Sequence, residues 1–305
     1  MRILKFGGSS VANASNINKV IDIVAETRRK GQSLIMVVSA LGGITDNLMT
    51  LATLASKKDR VYEIIFKNIC QRHIRVIAKL IAPKDRERIF VEIAKKYAEL
   101  DKIVKNIFLT GETSPPSLDA ILSFGEQFSS YIISEAIKNR GVHCQFVDTR
   151  TIIKTDNNFG EANVDTENSY KLVAEYFKEK KKNRCELFVM GGFIASTKEG
   201  VTTTLGRGGS DYTASLVGAA LDASSIEIWT DIDGLMTADP RKVKDAVIIP
   251  EISYEKAEEM AYSGAKVIYP KAIKPAWLRN IPIYIKNTFN PLMAGTKISN
   301  ENGTK

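Results

Sequence analysis

Short apolar runs alternate along this chain with longer stretches in which apolar residues recur every three or four positions, and that alternation predicts its elements. Runs 2–6, 34–38 and 186–190 have strand length, and each is followed by Gly or Ser and then by a helical pattern. Two further strand-like runs follow at 226–230 and 281–285. Between residues 16 and 29, Ile17, Val20, Ile21 and Val24 fall on one helical face, with Gly31 as a stop signal. From residue 45 to about 107 the pattern is helical throughout, broken at Pro83 and closed by a loop at 110–116; a further helix is predicted from about Ser117 to Asn139. This rhythm of strand, turn and helix predicts an α/β fold with a parallel sheet, from which residues 46–110 leave as a helical excursion. A division falls near residue 190, where a second group of Gly-rich loops begins, and no internal repeat is present.

Composition narrows the class. With 305 residues, 44% apolar and 26% charged, the chain can bury a sizeable core, which excludes a stapled miniprotein, a fibre or a disordered chain. No run approaches the roughly 20 apolar residues needed to cross a bilayer, and Gly7-Gly8 stand where a signal peptide would need its apolar region. The expectation is a cytoplasmic protein without a membrane partner. Cys70, Cys144 and Cys185 are far apart, and there is no CxxC or HExxH, so buried thiols are expected rather than disulfides or zinc. The net charge of +8 comes from 43 Lys and Arg against 35 Asp and Glu. Its densest basic run, 178–184, lacks interleaved aromatics and reads as a solvated helix end, not a nucleic-acid site.

Three clusters carry chemistry. Lys5-Phe6-Gly7-Gly8-Ser9-Ser10 places a Gly pair and a fixed positive charge directly after a strand, which suits either a phosphate or a tight turn. Gly206-Arg207-Gly208-Gly209-Ser210-Asp211 surrounds one Arg with glycines, an arrangement for a bidentate grip on a carboxylate or phosphate, with Ser210 or Asp211 able to cap the next helix. Thr230-Asp231-Ile232-Asp233-Gly234 has paired acids that an Asp-Gly turn alone does not explain, yet its spacing is wrong for an EF-hand. Nucleophile-elbow and protein-kinase patterns are absent, and two His leave little room for acid–base or zinc chemistry. What remains is Lys, Arg, Asp and Gly, the means of phosphoryl transfer by positioning and charge neutralisation.

These clusters, together with Ser123-Phe124-Gly125-Glu126 and Gly264-Ala265-Lys266-Val267-Ile268, resemble aspartate kinases in that family's order and over nearly the whole chain. The tail from Ile281 to Thr296 resembles forms fused to homoserine dehydrogenase. The resemblance implies the amino-acid-kinase fold, a three-layer α/β/α sandwich with a mostly parallel central sheet. Residues 1–190 would form the lobe for the amino acid and phosphoryl transfer, and 191–305 the nucleotide lobe. It implies transfer of the γ-phosphoryl of MgATP to the side-chain carboxylate of L-aspartate, opening lysine, threonine and methionine biosynthesis. Mg²⁺ would be held through the ATP phosphates, with no metal site of the protein's own.

Residue by residue, the resemblance implies that Lys5 and the Gly7 and Gly8 amides hold the transferring group. Asp211 would orient Lys5 and Lys266, and Arg207 would clamp a substrate carboxylate beside Gly208, Gly209 and Ser210. Glu126 would take the α-ammonium, and Ser39 and Thr45 would complete the pocket. Phe6, Thr230, Asp231, Met236, Arg241, Lys266 and Val267 would line the nucleotide site. The family often has Tyr where Met236 stands and His where Tyr269 stands. It also continues into paired ACT domains, absent from these 305 residues, and a homo-oligomer is expected of the full-length enzyme. Glutamate 5-kinase or acetylglutamate kinase would use the same mechanism with a different pocket. A binding module without turnover would not need Lys5, Arg207 and Asp211 together.

Overall fold

The computed structural model describes residues 1–300 other than 30, 32, 182–186, 239–242, 244 and 264–267. Its strands are β1 (Arg2–Phe6), β2 (Leu34–Val38), β3 (Gln145–Val147), β4 (Leu187–Gly191), β5 (Ile194–Ser196), β6 (Thr202–Thr204), β7 (Ser225–Thr230), β8 (Glu251–Ile252), β9 (Ile283–Asn287) and β10 (Thr296–Ile298). Eight of them form one sheet in the order β3-β4-β2-β1-β7-β9-β10-β8, parallel except where β10 meets β9. β5 and β6 form a separate antiparallel ribbon. The five expected strands are present, whereas β3, the ribbon, β8 and β10 are too short to show in the apolar pattern.

The helices are α1 (Ala14–Arg29), α2 (Ile44–Ser56), α3 (Tyr62–Leu80), α4 (Pro83–Thr110), α5 (Pro115–Asn139), α6 (Thr166–Lys181), α7 (Gly209–Ala220), α8 (Tyr254–Tyr262) and α9 (Pro270–Leu278). Pro83 occupies the first turn of α4, where its missing N–H costs nothing, so the expected break lies between two helices. Ser114 caps α5 by accepting from the Ser117 N–H, and this starts the helix two residues before the expected position. The basic run 178–184 opens at the end of α6, and its residues 182–184 lie outside the described residues.

Strand alternation explains the layers. Successive side chains point to opposite faces, so Leu4, Phe6, Leu34, Met36 and Val38 join one core with α1 to α5, while Ile3, Ile35 and Val37 join a second with α6 to α9. Both faces are covered, as a parallel sheet requires, and the three-layer sandwich stands. Strands from residues 1–191 occupy one half of the sheet and those from 225–298 the other, with β1 joining them by pairing to both β2 and β7. Of the expected buried thiols, Cys144 is buried and Cys70 is half-buried, its thiol pushed up to about 12 by burial. Cys185 lies outside the described residues.

His73 is wholly buried in α3 beside Phe128, with ring centroids 4.7 Å apart, and its Nδ1 donates to the Ile69 carbonyl at 2.9 Å. Burial lowers its pKa from 6.5 to about 4. The fold therefore excludes the proton that the unfolded chain accepts: this contribution to stability is whole above about pH 6.5 and is lost as the pH falls toward 4. The loss approaches about 3 kcal/mol. His73→Phe is expected to flatten that acid limb in urea unfolding series taken at several pH values.

Candidate active site

The carboxyl ends of β1, β2 and β4 open into loops that surround a cavity of about 420 Å³, the position where open α/β sheets bind ligands. Lys5, Gly8, Ser39, Thr45, Glu126, Gly208, Gly209, Ser210 and Asp211 all line it. Lys5 shares a sheet face with Ile3, which aims its side chain at α7. There its Nζ lies 2.5 Å from Asp211 Oδ1, with both side chains about nine-tenths buried. The two glycines of the first turn differ. The Gly7 N–H donates to the Trp229 carbonyl at 3.0 Å, continuing the sheet, so only the Gly8 N–H is without a partner among the described residues. Phe6 stacks on Trp229 in the core at 0% exposure, and only its backbone reaches the turn.

Glu126 reaches the cavity because α5 packs unusually close to the sheet. A Cβ on Gly125 would stand 2.8 Å from Ala40 Cβ, and one on Gly191 3.0 Å from Glu126 Cβ. Glu126 is 3% exposed; its Oε1 accepts from the Ala40 N–H at 2.9 Å, while Oε2 is buried with no hydrogen-bond partner among the described residues. Desolvation raises its pKa to about 8, opposed weakly by that backbone bond and by Lys5. A buried carboxyl with one oxygen left over in a cavity is suited to a cation that arrives with a ligand.

α7 begins without the expected side-chain cap. Gly208 is its N-cap in the left-handed region, with φ 72°, and neither Ser210 nor Asp211 caps it. Both are turned toward the cavity: Ser39 Oγ donates to Ser210 Oγ at 3.1 Å, and Asp211 is held by Lys5. Arg207 stands exposed between Gly206 and Gly208; those two line the cavity and Arg207 does not. Thr230, which ends β7, and Asp231 and Met236 beyond it lie outside the cavity lining; Thr230 Oγ1 donates to Asp231 Oδ1 at 3.1 Å. Arg241, Lys266 and Val267 lie outside the described residues.

A model of the amino acid kinase family matches residues 1–287. The chain belongs to the amino acid kinase family. Among its relatives, the bifunctional aspartokinase/homoserine dehydrogenase 1 of Zea mays, a chloroplastic protein, is 36% identical over 98% of this chain and 32% of its own length. The lysine-sensitive aspartokinase 3 of Escherichia coli is 34% identical over 98% of this chain and 64% of its own length. The chain thus spans about a third of the bifunctional relatives. The crystal structure of E. coli aspartokinase III in complex with aspartate and ADP superposes with a TM-score of 0.89, at 35% identity, over 99% of this chain and 65% of that one.

Sequence reasoning missed Phe193 and Gly192. Phe193 lines the cavity with a left-handed backbone, φ 64°, costly for a non-Gly residue, and its N–H donates to Thr213 Oγ1 at 3.1 Å. A Cβ on Gly192 would fall 2.6 Å from Ser210 Cα. The signal was present in the sequence: Gly191-Gly192, at the end of β4, resembles the Gly pair that follows β1. Asp119, buried in α5, was missed too. It accepts from the Gly160 and Thr204 N–H groups at 3.0 and 2.8 Å, tying α5 to the ribbon that leads into the Arg207 loop.

Proposed function

We propose that this chain phosphorylates the side-chain carboxylate of L-aspartate with MgATP, giving 4-phospho-L-aspartate and ADP. The observation that carries the proposal is one cavity lined by the Lys5–Asp211 pair and by the unpartnered Glu126 Oε2. The similarity to aspartokinases, one of them solved with aspartate and ADP, supports the choice of substrate.

In this reading Glu126 takes the α-ammonium, Ser39 and Thr45 flank the amino acid, and Arg207 swings from the rim to clamp a carboxylate. The β-carboxylate oxygen attacks the γ-phosphorus as the bond to the bridging β,γ oxygen breaks, and the electron pair leaves with ADP. The nucleophile is already an anion, so no general base is required. The barrier lies in bringing two anions together, which Lys5 and the Gly8 amide reduce by holding the transferring group, with Asp211 fixing the ammonium. Thr230, Asp231, Met236, Arg241, Lys266 and Val267 belong to the nucleotide side of the proposal. Mg²⁺ would be carried on the ATP phosphates in this reading. A cytoplasmic setting and a homo-oligomer of the full-length enzyme complete the proposal; no helix of the described residues is long and apolar enough to cross a membrane.

Trapping the acyl phosphate with hydroxylamine in the presence of MgATP tests the reading. Hydroxamate is expected from L-aspartate and not from L-glutamate; the reverse pattern would assign the chain to a different amino-acid kinase. Arg207→Lys is expected to raise the aspartate KM by about tenfold with a smaller change in kcat, because a point charge replaces a planar fork. An unchanged KM would remove Arg207 from the pocket.

A further inference from the structure

Asp233, the second acid of the Asp-x-Asp-Gly segment, has no part in the reading above, yet it holds a defined position. Its Oδ1 accepts from Asn287 Nδ2 at 2.9 Å and from Asn290 Nδ2 at 3.2 Å, so the end of β9 and the turn that follows both hold it. The same turn has two further attachments. The Thr288 N–H donates to the Thr230 carbonyl at 2.8 Å, which holds the start of the loop after β7. Thr288 Oγ1 lies 2.7 Å from Ser10 Oγ in a hydroxyl pair, both residues being at most 1% exposed, and Ser10 belongs to the glycine turn after β1.

We infer that the turn after β9 is a positioning element that joins the two ATP-facing segments into one unit. Asp233 fixes the loop after β7 to the turn, Thr288 fixes the glycine turn to it, and nucleotide affinity depends on both attachments. Asp233 acts here as a hydrogen-bond acceptor rather than as a charge on the ligand. The inference rests on the ATP-dependent reading and specifies how its nucleotide side is assembled. The physical reason is that a loop fixed before the ligand arrives has less freedom to lose on binding.

Calorimetric titration with MgADP, set beside steady-state KM values for ATP and aspartate, tests this. Asp233→Ala is expected to weaken MgADP binding and raise the ATP KM by about tenfold, as two hydrogen bonds are lost, with the aspartate KM within about twofold of wild type. Asp233→Asn is expected to bind near the wild-type level, because an amide oxygen accepts from the same two groups. Thr288→Val, close in shape, should also weaken binding, and combined with Asp233→Ala it should do so less than additively because both act through one turn. Wild-type MgADP binding by Asp233→Ala would overturn the inference. So would Asp233→Asn as weak as Asp233→Ala, which would place the charge itself on the nucleotide or its ion, or an aspartate KM that rises in step. A wild-type chain that shows this nucleotide pattern but yields no aspartyl hydroxamate would overturn the substrate reading and leave this inference standing; a chain that binds no MgADP would overturn both.

Discussion

Lys5→Ala is expected to lower turnover by at least about a thousandfold and, in the same molecule, to destabilise the fold. The first effect follows from removing the ammonium that faces the cavity beside Gly8 and Asp211. The second follows from burial, even though Lys5 stands near the end of a strand. Lys5 is 8% exposed, and its loss would leave the Asp211 carboxylate buried without its counter-charge. Breaking a buried pair from one side costs about 3–5 kcal/mol. The two effects separate in the double variant Lys5→Met with Asp211→Asn. Removing both charges should restore much of the stability in urea unfolding, while the hydroxamate rate stays at the level of Lys5→Ala. A single variant that keeps more than about a tenth of the wild-type rate would rule out the role given to Lys5.

Glu126→Gln should raise the aspartate KM roughly ten- to a hundredfold, the range for a hydrogen bond that loses its charged partner. The amide can still accept from the Ala40 N–H, so the local backbone is preserved. The pH dependence is the sharper test. Desolvation holds the empty site's carboxyl protonated below about pH 8, whereas an ammonium ligand requires the carboxylate. Aspartate binding therefore releases a proton, and the KM should fall by up to about tenfold per unit as the pH rises toward that value. In Glu126→Gln the KM should be higher and flat over the same range; a slope equal to that of wild type would assign the titration to another group. Stability carries the opposite sign. Because the folded carboxyl titrates near 8 and not at its usual 4.5, its contribution is whole below about pH 4.5 and is lost as the pH rises toward 8. Glu126→Gln should consequently be the more stable protein at pH 8.

The class of fold and the identity of the reactive groups were legible in the residues alone. The unbroken apolar run 34–38 specifies a strand covered on both faces, since only a two-sided core accepts apolar residues at every position. Gly pairs after strands and an Arg among glycines mark the loops that carry chemistry because both depend on local backbone freedom. Tertiary structure decided what those groups can do. A lone Glu is as a rule exposed, and Glu126 becomes a buried, half-satisfied carboxyl only because Gly125 and Gly191 let α5 approach the sheet. Lys5 and Asp211, some two hundred positions apart, form a close pair because β1 and α7 share one face of the sheet. Ser210 and Asp211, able to cap a helix on local grounds, turn into the cavity, where Ser39 and Lys5 provide partners that the local chain lacks. Asp233 shows in the sequence as one of the paired acids after β7, but Thr288 has no signal of its own, and the partners of both come from segments remote in sequence. Pattern reports the forces that act within a turn or a strand. Burial and pairing across the sheet set charge state and orientation, and those exist only once the layers have packed.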